Sequence, residues 1–433
     1  MTIRKRLLSL GLIPTLIATA LTVGVHTADA QTSSQADSAL TWDDPFYSPP
    51  ENVPAAGSLI RTQPAPQLLN VLGPDFPGYA EKILYSSTTI HGDPVAVSGF
   101  TIEPANPWQG AGPTPTIVFA PGTRGAGDAC APSKGPGFIG QYDPQAEALG
   151  TNYEIPFYSA ASLLGMRVVV TDYIGLGTPG QHTYVLHTEE AHAVLDAARA
   201  VVPEGSPVGL FGYSQGGGAV AAAAEHHQSY APEVNLQGTY SGAAPADLAA
   251  VIGGVDNSSI VSVLAFAYHG WGERFPEFKE PFDAVVNDRG REFLASNRDS
   301  CIGDSVVRWH LTDTRTLTTT GESMAEAAFR DERIVELLNS QKLGQQVPSA
   351  PIFVATGGND DLVPSPQTTQ MARDYCALGA DVTYLDEGVP ELTPGMKVGL
   401  NHAGGMLTQA QPAAQWLADR FNGVPTTSSC GTF

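Results

Sequence analysis

The stretch Val208–Ala219, which reads VGLFGYSQGGGA, decides the fold. Its apolar start is typical of a buried strand, and the alanine-rich run that continues to Glu225 is typical of a helix. Between them, Gly212-Tyr213-Ser214-Gln215-Gly216 has the pattern G-x-S-x-G. This short pattern also occurs by chance, in glycine-rich turns without chemistry. Here it joins a strand directly to a helix, so it predicts a sharp turn that presents the Ser214 hydroxyl above a sheet, at a helix N-terminus that favours negative charge.

Other apolar runs continue the same architecture on both sides of this turn. Strands are predicted at 83–90 and 94–102, joined as a hairpin, and then at 116–120, 166–171, 208–212, 235–240, 351–356 and 381–385. Helices are predicted at 158–164, 189–202 and 410–421. Because short apolar runs alternate with helices, we expect an α/β fold with a mostly parallel sheet covered by helices on both faces.

One region breaks this alternation. Residues 248–347 contain helical patterns but no convincing buried strand, and we interpret them as a helical cap or lid inserted into the core. The core then comprises residues 81–247 and 348–433. The proline- and serine-rich residues 31–80 are expected to form an extended N-terminal arm.

The N-terminus has the features of an export signal. Arg4, Lys5 and Arg6 precede an apolar stretch, and Ala28-Asp29-Ala30 gives the small-x-small pattern of a cleavage site. A membrane anchor is the alternative, but Pro14 interrupts the apolar stretch. We therefore expect residues 1–30 to be a signal peptide cleaved near Ala30, and the protein to be secreted, without stable membrane insertion afterwards.

The composition restricts the partners. The 433 residues carry a formal net charge of -22, with only 22 lysines and arginines. Nucleic acid requires a basic face, so we expect no nucleic-acid partner. Nothing in the sequence calls for a cofactor, and no metal-binding pattern is present. We expect a monomer.

Four cysteines remain in an exported chain, which makes two disulfides the default. Four cysteines allow three pairings. We favour Cys376–Cys430, which would hold the C-terminus against the body, together with Cys130–Cys301. Each bridge would close a long loop and contribute about 4 kcal/mol in the chain-entropy description.

A serine hydroxyl needs a base and an orienting carboxylate, which in this fold follow the serine in the order acid, then histidine. Asp360 lies in GGNDDLVP, directly after the strand at 351–356, and we prefer it to its neighbour Asp361. His402, in the segment LNHAGG, follows the last strand on what we interpret as a glycine-rich loop. We assign His91, His182, His187 and His192 to structural positions, and His226 and His227 to the solvent-facing end of a helix.

An oxyanion hole requires two backbone N–H groups. One is expected from Gln215, the residue after the serine. The other is expected from the loop after the strand at 116–120, where Thr123 is our choice by position and Arg124 the alternative.

Several longer segments make a family resemblance specific. They are DPFYSPP at 44–50, APGTRG at 120–125, DACAPS at 128–133, DYIGLGTPG at 172–180, EEAHAVLDAARA at 189–200, GYSQGGGA at 212–219, GGNDDLVP at 357–364 and NHAGG at 401–405. With them the chain resembles the secretory lipase family of the α/β-hydrolase superfamily. The resemblance implies a helical cap, hydrolysis of acyl esters and two disulfides, and Cys130–Cys301 would fit a bridge between the oxyanion-side loop and the cap.

These observations favour a secreted carboxylic ester hydrolase, a lipase or esterase, that acts through an acyl-enzyme on Ser214. Its expected partner is an ester or lipid substrate. Three alternatives remain open. Acyl transfer to a cell-envelope sugar or alcohol would use the same residues, and so would amide hydrolysis. A non-catalytic binding protein could retain the same scaffold, although such proteins usually lose a member of the triad.

Overall fold

The computed structural model describes residues 44–65, 78–135, 140–143 and 148–433. The predicted signal peptide and the segments 31–43 and 66–77 of the predicted arm lie outside the described residues. Within the described ranges, none of the helices is long and apolar enough to cross a membrane.

The described residues form eleven strands, most of them at or near the predicted positions. They are β1 (Leu59–Pro64), β2 (Gly78–Thr88), β3 (Pro94–Pro104), β4 (Thr116–Ala120), β5 (Gly140–Asp143), β6 (Ala148–Thr151), β7 (Arg167–Thr171), β8 (Val208–Tyr213), β9 (Leu236–Gly242), β10 (Ile352–Thr356) and β11 (Val382–Asp386).

Nine of these strands build one sheet in the order β1-β2-β3-β7-β4-β8-β9-β10-β11. In this order the strands from β7 to β11 are parallel. Strand β1 pairs antiparallel with β2, β2 with β3, and β3 with β7. Every residue of β4, β8 and β10 is buried, as expected for parallel strands covered on both faces. The observed sheet confirms the predicted α/β class. Strands β5 and β6 form a separate antiparallel pair.

Helices cover the sheet on both faces and fill the segment between β9 and β10. They are α1 (Ile155–Leu163), α2 (His187–Val201), α3 (Gln215–Tyr230), α4 (Leu248–Val255), α5 (Val263–Arg274), α6 (Glu280–Asp283), α7 (Asp288–Ser296), α8 (Ile302–Trp309), α9 (Met324–Phe329), α10 (Glu332–Ser340), α11 (Ser365–Ala377) and α12 (Leu400–Phe421). Helices α2, α3 and α11 share one core with the sheet, and α1 and α12 share another.

The seven helices from α4 to α10 lie between β9 and β10 and have a hydrophobic core of their own. Its largest buried side chains include Phe266, Trp271 and Phe293. The same core includes Leu186, before α2, and Val363, after β10, so these helices pack directly on the strand-end loops of the sheet. We call α4–α10 the helical insertion.

The part of the predicted arm that the structure describes contains a strand that the sequence interpretation missed. Strand β1 pairs antiparallel with β2 at the edge of the sheet. Its residues are mostly exposed or half-buried, which is why no buried run marked it. Proline and serine nearby predicted an extended chain, and the β1 segment has that extended form.

Two disulfides close the described structure. Cys130 is bonded to Cys301, and Cys376 to Cys430, the two pairs favoured from the sequence. The first joins the loop after β4 to the start of α8 in the insertion. The second joins α11 to the C-terminal segment.

Candidate active site

Ser214 occupies a strained turn between β8 and α3. Its backbone has φ 60° and ψ -125°, a conformation that a non-glycine residue adopts only when its surroundings enforce it. The next residue, Gln215, is the first of α3, so its N–H group is among those without an acceptor inside the helix. The turn therefore places the Ser214 hydroxyl at a helix N-terminus, where backbone N–H donors are available.

The glycines around Ser214 are required by close packing. A Cβ atom on Gly216 would lie 1.9 Å from the carbonyl oxygen of Ala120, and one on Gly212 would lie 2.0 Å from that of Gly216. Gly217 has equally little space, 2.2 Å from the carbonyl oxygen of Gly242. The turn is thus wedged between the ends of β4 and β9, and only glycine fits at these three positions.

His402 and Asp360 form a hydrogen-bonded pair. The ring Nδ1 of His402 lies 2.7 Å from Oδ2 of Asp360. The other carboxylate oxygen of Asp360 accepts the N–H groups of Leu362 and Val363, both at 2.9 Å. The Asp360 side chain is only 2% exposed and that of His402 12%, so the pair is shielded from water. This arrangement fixes the ring and leaves Nε2 as the nitrogen available to a reacting group.

Asp361, the alternative acid, has a different set of contacts. Its Oδ2 accepts the N–H groups of Val398 and Gly399, at 3.1 and 2.7 Å, and its Oδ1 accepts that of His402 at 3.0 Å. These are donors at the start of α12, which no helical carbonyl can satisfy. Asp361 therefore holds the helix end that carries His402.

The prediction that His402 lies on a loop was wrong. His402 is in the first turn of α12, which begins at Leu400. The glycines that suggested a loop are close-packing positions within the helix. A Cβ atom on Gly404 would lie 2.7 Å from Val389, and one on Gly405 would lie 2.7 Å from the Tyr213 hydroxyl. The helix, anchored by Asp361, gives the histidine a fixed backbone.

The pKa of His402 is raised from its ordinary value. Burial of the ring lowers it, but the charge and hydrogen bond of Asp360, with a contribution from the charge of Asp361, outweigh the burial. The ring is therefore a stronger base than a solvent-exposed imidazole. It must still be neutral to accept a proton, so its basic form predominates only above this raised pKa.

Tyr213 brings the serine turn and the histidine together. Its hydroxyl donates to the carbonyl oxygen of His402 at 2.8 Å, and the two rings lie 5.0 Å apart between centroids. Among the described residues, no hydrogen bond joins the Ser214 hydroxyl to the His402 ring.

The loop after β4 packs against the serine turn, since a Cβ atom on Gly122 would lie 3.3 Å from the carbonyl oxygen of Tyr213. The Gly122 N–H points to the Glu154 carboxylate at 3.3 Å, and the same carboxylate forms a buried ion pair with Arg124 at 2.5 Å. The Thr123 hydroxyl is bonded to Tyr184 at 2.8 Å. Within the described ranges, the backbone N–H groups of Thr123 and Arg124 have no hydrogen-bond acceptor. Both oxyanion candidates therefore retain a free donor.

Ser214 and Gln215 line an apolar cavity that extends into the insertion. Most of its lining is aliphatic or aromatic, contributed by Tyr184, Val185, Pro245, Leu248, Val251, Ile252, Val255, Ile260, Val263, Leu264, Ala267, Trp271, Phe278, Phe282, Met324, Leu338 and Val363. Such a lining binds hydrocarbon and excludes ions. Among the described residues, no group of three or more His, Cys, Asp or Glu side chains could hold a metal ion.

Three other histidines, His182, His187 and His227, are buried in the structure. His182 and His187 are buried, and burial lowers the pKa of each to about 4. The assignment of His227 to a solvent-facing helix end was wrong. Its ring is buried and bonded to Ser349, at 2.6 Å, and to the carbonyl oxygen of Val234. The segment that returns from the insertion covers it, which helical spacing alone does not reveal.

A second buried network beside the serine was not recognised from the sequence. Glu190 accepts the Gln215 side-chain amide at 2.8 Å and the Val185 N–H at 3.0 Å. Burial raises the pKa of Glu190 to about 8, against the effect of these hydrogen bonds. The only trace of this network in the sequence is the double glutamate of EEAH at 189–192. Such a pair suggests an exposed position, because a helix rarely buries two adjacent carboxylates.

The sheet order, the helices on both faces and the strained serine between β8 and α3 define an α/β-hydrolase fold. The chain belongs to the secretory lipase family, whose model matches residues 141–429. Membership places it among lipases and related ester hydrolases.

Individual relatives agree with this assignment. A Mycobacterium tuberculosis protein named a probable inactive lipase is 28% identical over 405 residues, covering 90% of this chain and 84% of that protein. Lipase A of Arthroderma benhamiae is 24% identical over 405 residues, covering 90% and 81%. The closed-state X-ray structure of Candida antarctica lipase A has a TM-score of 0.74 at 22% identity, over 90% of this chain and 88% of that one. The last of these likenesses shows the fold alone.

Proposed function

We propose that this chain is a secreted serine ester hydrolase, a lipase or carboxylesterase, with Ser214 as nucleophile, His402 as base and Asp360 as the orienting acid. One observation carries the proposal. The His402–Asp360 pair, at 2.7 Å, is bonded through His402 to Tyr213, the residue before a strained serine that lines an apolar cavity. A buried imidazole oriented by a carboxylate is the base that a serine hydroxyl requires.

In the proposed reaction, Ser214 Oγ attacks the ester carbonyl while its proton passes to His402 Nε2. The carbonyl oxygen becomes an oxyanion, stabilised by the N–H groups of Gln215 and Thr123. The ester C–O bond then breaks, and the leaving alcohol takes the proton from His402. Water repeats the sequence on the acyl-enzyme and releases the carboxylic acid. Asp360 holds the imidazole in the reactive tautomer throughout.

The cavity supports hydrocarbon-bearing esters as substrates. It is lined almost entirely by apolar side chains, and Ser214 belongs to the lining. An acyl chain placed there would lose its water contacts while its carbonyl remained beside the nucleophile. The helical insertion then acts as the predicted cap, residues 248–347, and forms the acyl-binding wall.

The proposed setting is extracellular, and the protein is proposed to act as a monomer. The sequence pattern of a signal peptide with cleavage near Ala30, the two disulfides and membership of a secretory family all favour export. No cofactor enters the proposed reaction.

Ser214→Ala tests the proposal. We expect this variant to lose hydrolysis of p-nitrophenyl butyrate by about 10⁴-fold or more, because the hydroxyl is the nucleophile. Ser229→Ala, near the other end of α3, changes an exposed serine and is expected to keep full activity. Full residual activity of Ser214→Ala, measured with unchanged thermal unfolding, would contradict the assignment.

A non-catalytic binding protein on the same scaffold is the second candidate function, because the Mycobacterium tuberculosis relative is named a probable inactive lipase. A fluorophosphonate probe, which reacts covalently only with an activated serine, distinguishes the two. Labelling at Ser214 supports a hydrolase. A folded protein that binds long-chain esters but does not react with the probe would be a binding protein.

A further inference from the structure

Residues 182–186, which we call the strap, belong to the connection between β7 and α2. Two of them, Tyr184 and Val185, line the same cavity as Ser214. Val185 has φ 52°, in the left-handed region that a β-branched residue very rarely adopts. Strained backbone of this kind persists only where the surroundings hold it, and it is concentrated at functional sites.

The two buried glutamates of α2 bind the strap through hydrogen bonds. Glu190 accepts the Val185 N–H at 3.0 Å, and Glu189 accepts the Thr183 hydroxyl at 2.8 Å. Glu189 also forms an ion pair with Arg274 at the end of α5, at 2.6 Å. The conformation of the strap is therefore fixed by the core and linked to the insertion.

Helix α5 of the insertion also packs against the strap. Trp271 donates its indole N–H to the carbonyl oxygen of Tyr184 at 2.9 Å. The helix approaches so closely that a Cβ atom on Gly270 would lie 2.1 Å from the carbonyl oxygen of His182. The ring of Phe266 meets the ring of Tyr184 edge-on at 5.9 Å. A movement of α5 must therefore move Tyr184.

At its other end, Tyr184 contacts the loop that is proposed to bind the oxyanion. Its hydroxyl lies 2.8 Å from Oγ1 of Thr123, in a buried bond. Burial keeps the pKa of Tyr184 above its ordinary value, so the hydroxyl stays protonated. A phenol is the more acidic of the two hydroxyls, which favours Tyr184 as the donor and Thr123 as the acceptor.

We infer that Tyr184 is a positioning residue that couples the acyl cavity to the oxyanion donor Thr123. A chain that fills the cavity packs against Tyr184 and Trp271, and this contact fixes the Thr123 loop in its reactive geometry. Binding energy from the acyl chain then lowers the barrier to reaction instead of only tightening substrate binding. The inference rests on the proposed function and adds to it how the acyl chain affects the rate.

Tyr184→Phe removes the hydroxyl and keeps the ring in the cavity. With p-nitrophenyl octanoate we expect kcat to fall about tenfold, equivalent to about 1.4 kcal/mol, with KM within twofold of the parent value. Thr123→Val should have the same effect, and the double variant should be no worse than the single ones, because all three lose the same bond. Trp271→Phe should lower the ratio of kcat for octanoate to kcat for acetate.

Tyr384→Phe is the matched control. Tyr384 lies on the outermost strand, and its hydroxyl is also 2.8 Å from a threonine Oγ1, that of Thr369. Loss of this hydroxyl should leave kcat and KM unchanged.

An active parent with an unchanged kcat in Tyr184→Phe would overturn the inference. A rise in KM alone would also overturn it, because Tyr184 would then be only part of the cavity wall. A parent that hydrolyses no ester would instead contradict the proposed function. If Tyr184→Phe does not fold, Thr123→Val breaks the same bond from its other side and decides the question.

Discussion

Asp360 and Asp361 are adjacent carboxylates that contact different parts of the same residue. Asp360 reaches the His402 ring, and Asp361 reaches the His402 backbone N–H together with two others at the start of α12. One carboxylate therefore orients the imidazole, and the other holds the helix end on which the imidazole is carried. A negative charge at a helix N-terminus is itself favourable.

This division of roles predicts a pH effect. Asp361 contributes to the raised pKa of His402, so Asp361→Asn removes a negative charge and lowers that pKa. Because only neutral His402 can accept the proton, the acidic limb of the kcat/KM profile should move to lower pH. We expect the plateau rate to fall less than tenfold, since Asn retains one oxygen to accept N–H groups.

Asp360→Asn is the comparison for this measurement. It should lower kcat by about 10³- to 10⁴-fold at every pH, because the imidazole loses its orienting acceptor. Profiles of p-nitrophenyl butyrate hydrolysis between pH 5 and 9 would test both variants. An acidic limb of Asp361→Asn that moves to higher pH, or does not move, would contradict the electrostatic role.

At this scale the sequence was informative where chemistry depends on order and spacing. Ser214, Asp360 and His402 follow one another as the fold requires, and GGNDDLVP leaves only two acids to choose between. The sequence could not reveal that Asp361 caps a helix, because the prediction had no helix there. It could not identify Tyr184 either, since a single aromatic residue in a connection resembles any core residue.

At the scale of elements, glycines have different structural roles at different positions. Gly216 lies in the first turn of α3 and touches the end of β4, since a Cβ atom there would lie 1.9 Å from the Ala120 carbonyl oxygen. Gly253 lies in α4, and a Cβ atom there would meet nothing within 4 Å. One glycine is required by packing, and the other only adds flexibility to a helix.

The two glycines should respond in opposite ways to alanine. Gly216→Ala is expected to destabilise the fold by about 3 kcal/mol or more, because β4 or α3 must move. Gly253→Ala should stabilise it by about 0.5–1 kcal/mol, the usual advantage of alanine inside a helix. Denaturant unfolding of both variants would measure the difference. Equal stabilities would show that the contact between α3 and β4 is not tight.

The same distinction explains which elements could be predicted. The buried parallel strands β4, β7, β8 and β10 are continuous apolar runs, and the sequence located them within one or two residues. Helix α12 was predicted to begin at 410 but begins at Leu400, because Gly404 and Gly405 suggested a loop. Whether a glycine marks a turn or a close contact depends on neighbours that are distant in sequence.

The charge of the whole molecule is relevant to where it can act. The net charge of -22 is produced by 44 acidic side chains against 22 basic ones. A field of that sign repels other anionic surfaces at long range, and salt reduces its reach from about 30 Å at 10 mM to about 8 Å at 150 mM. Approach to a lipid surface should therefore depend on the charge of that surface.

We expect hydrolysis of a long-chain ester dispersed in vesicles with an anionic phospholipid to rise severalfold as salt increases from about 10 to 150 mM. In vesicles of zwitterionic phospholipid the same ester should be hydrolysed at a rate that varies little with salt. Soluble p-nitrophenyl acetate is the control for any effect of salt on the reaction itself. A rate on anionic vesicles that falls as salt is added would mean that a local basic surface governs docking. In that case the arrangement of charge around the cavity opening, and not the net charge, would decide which lipid surfaces the protein can use.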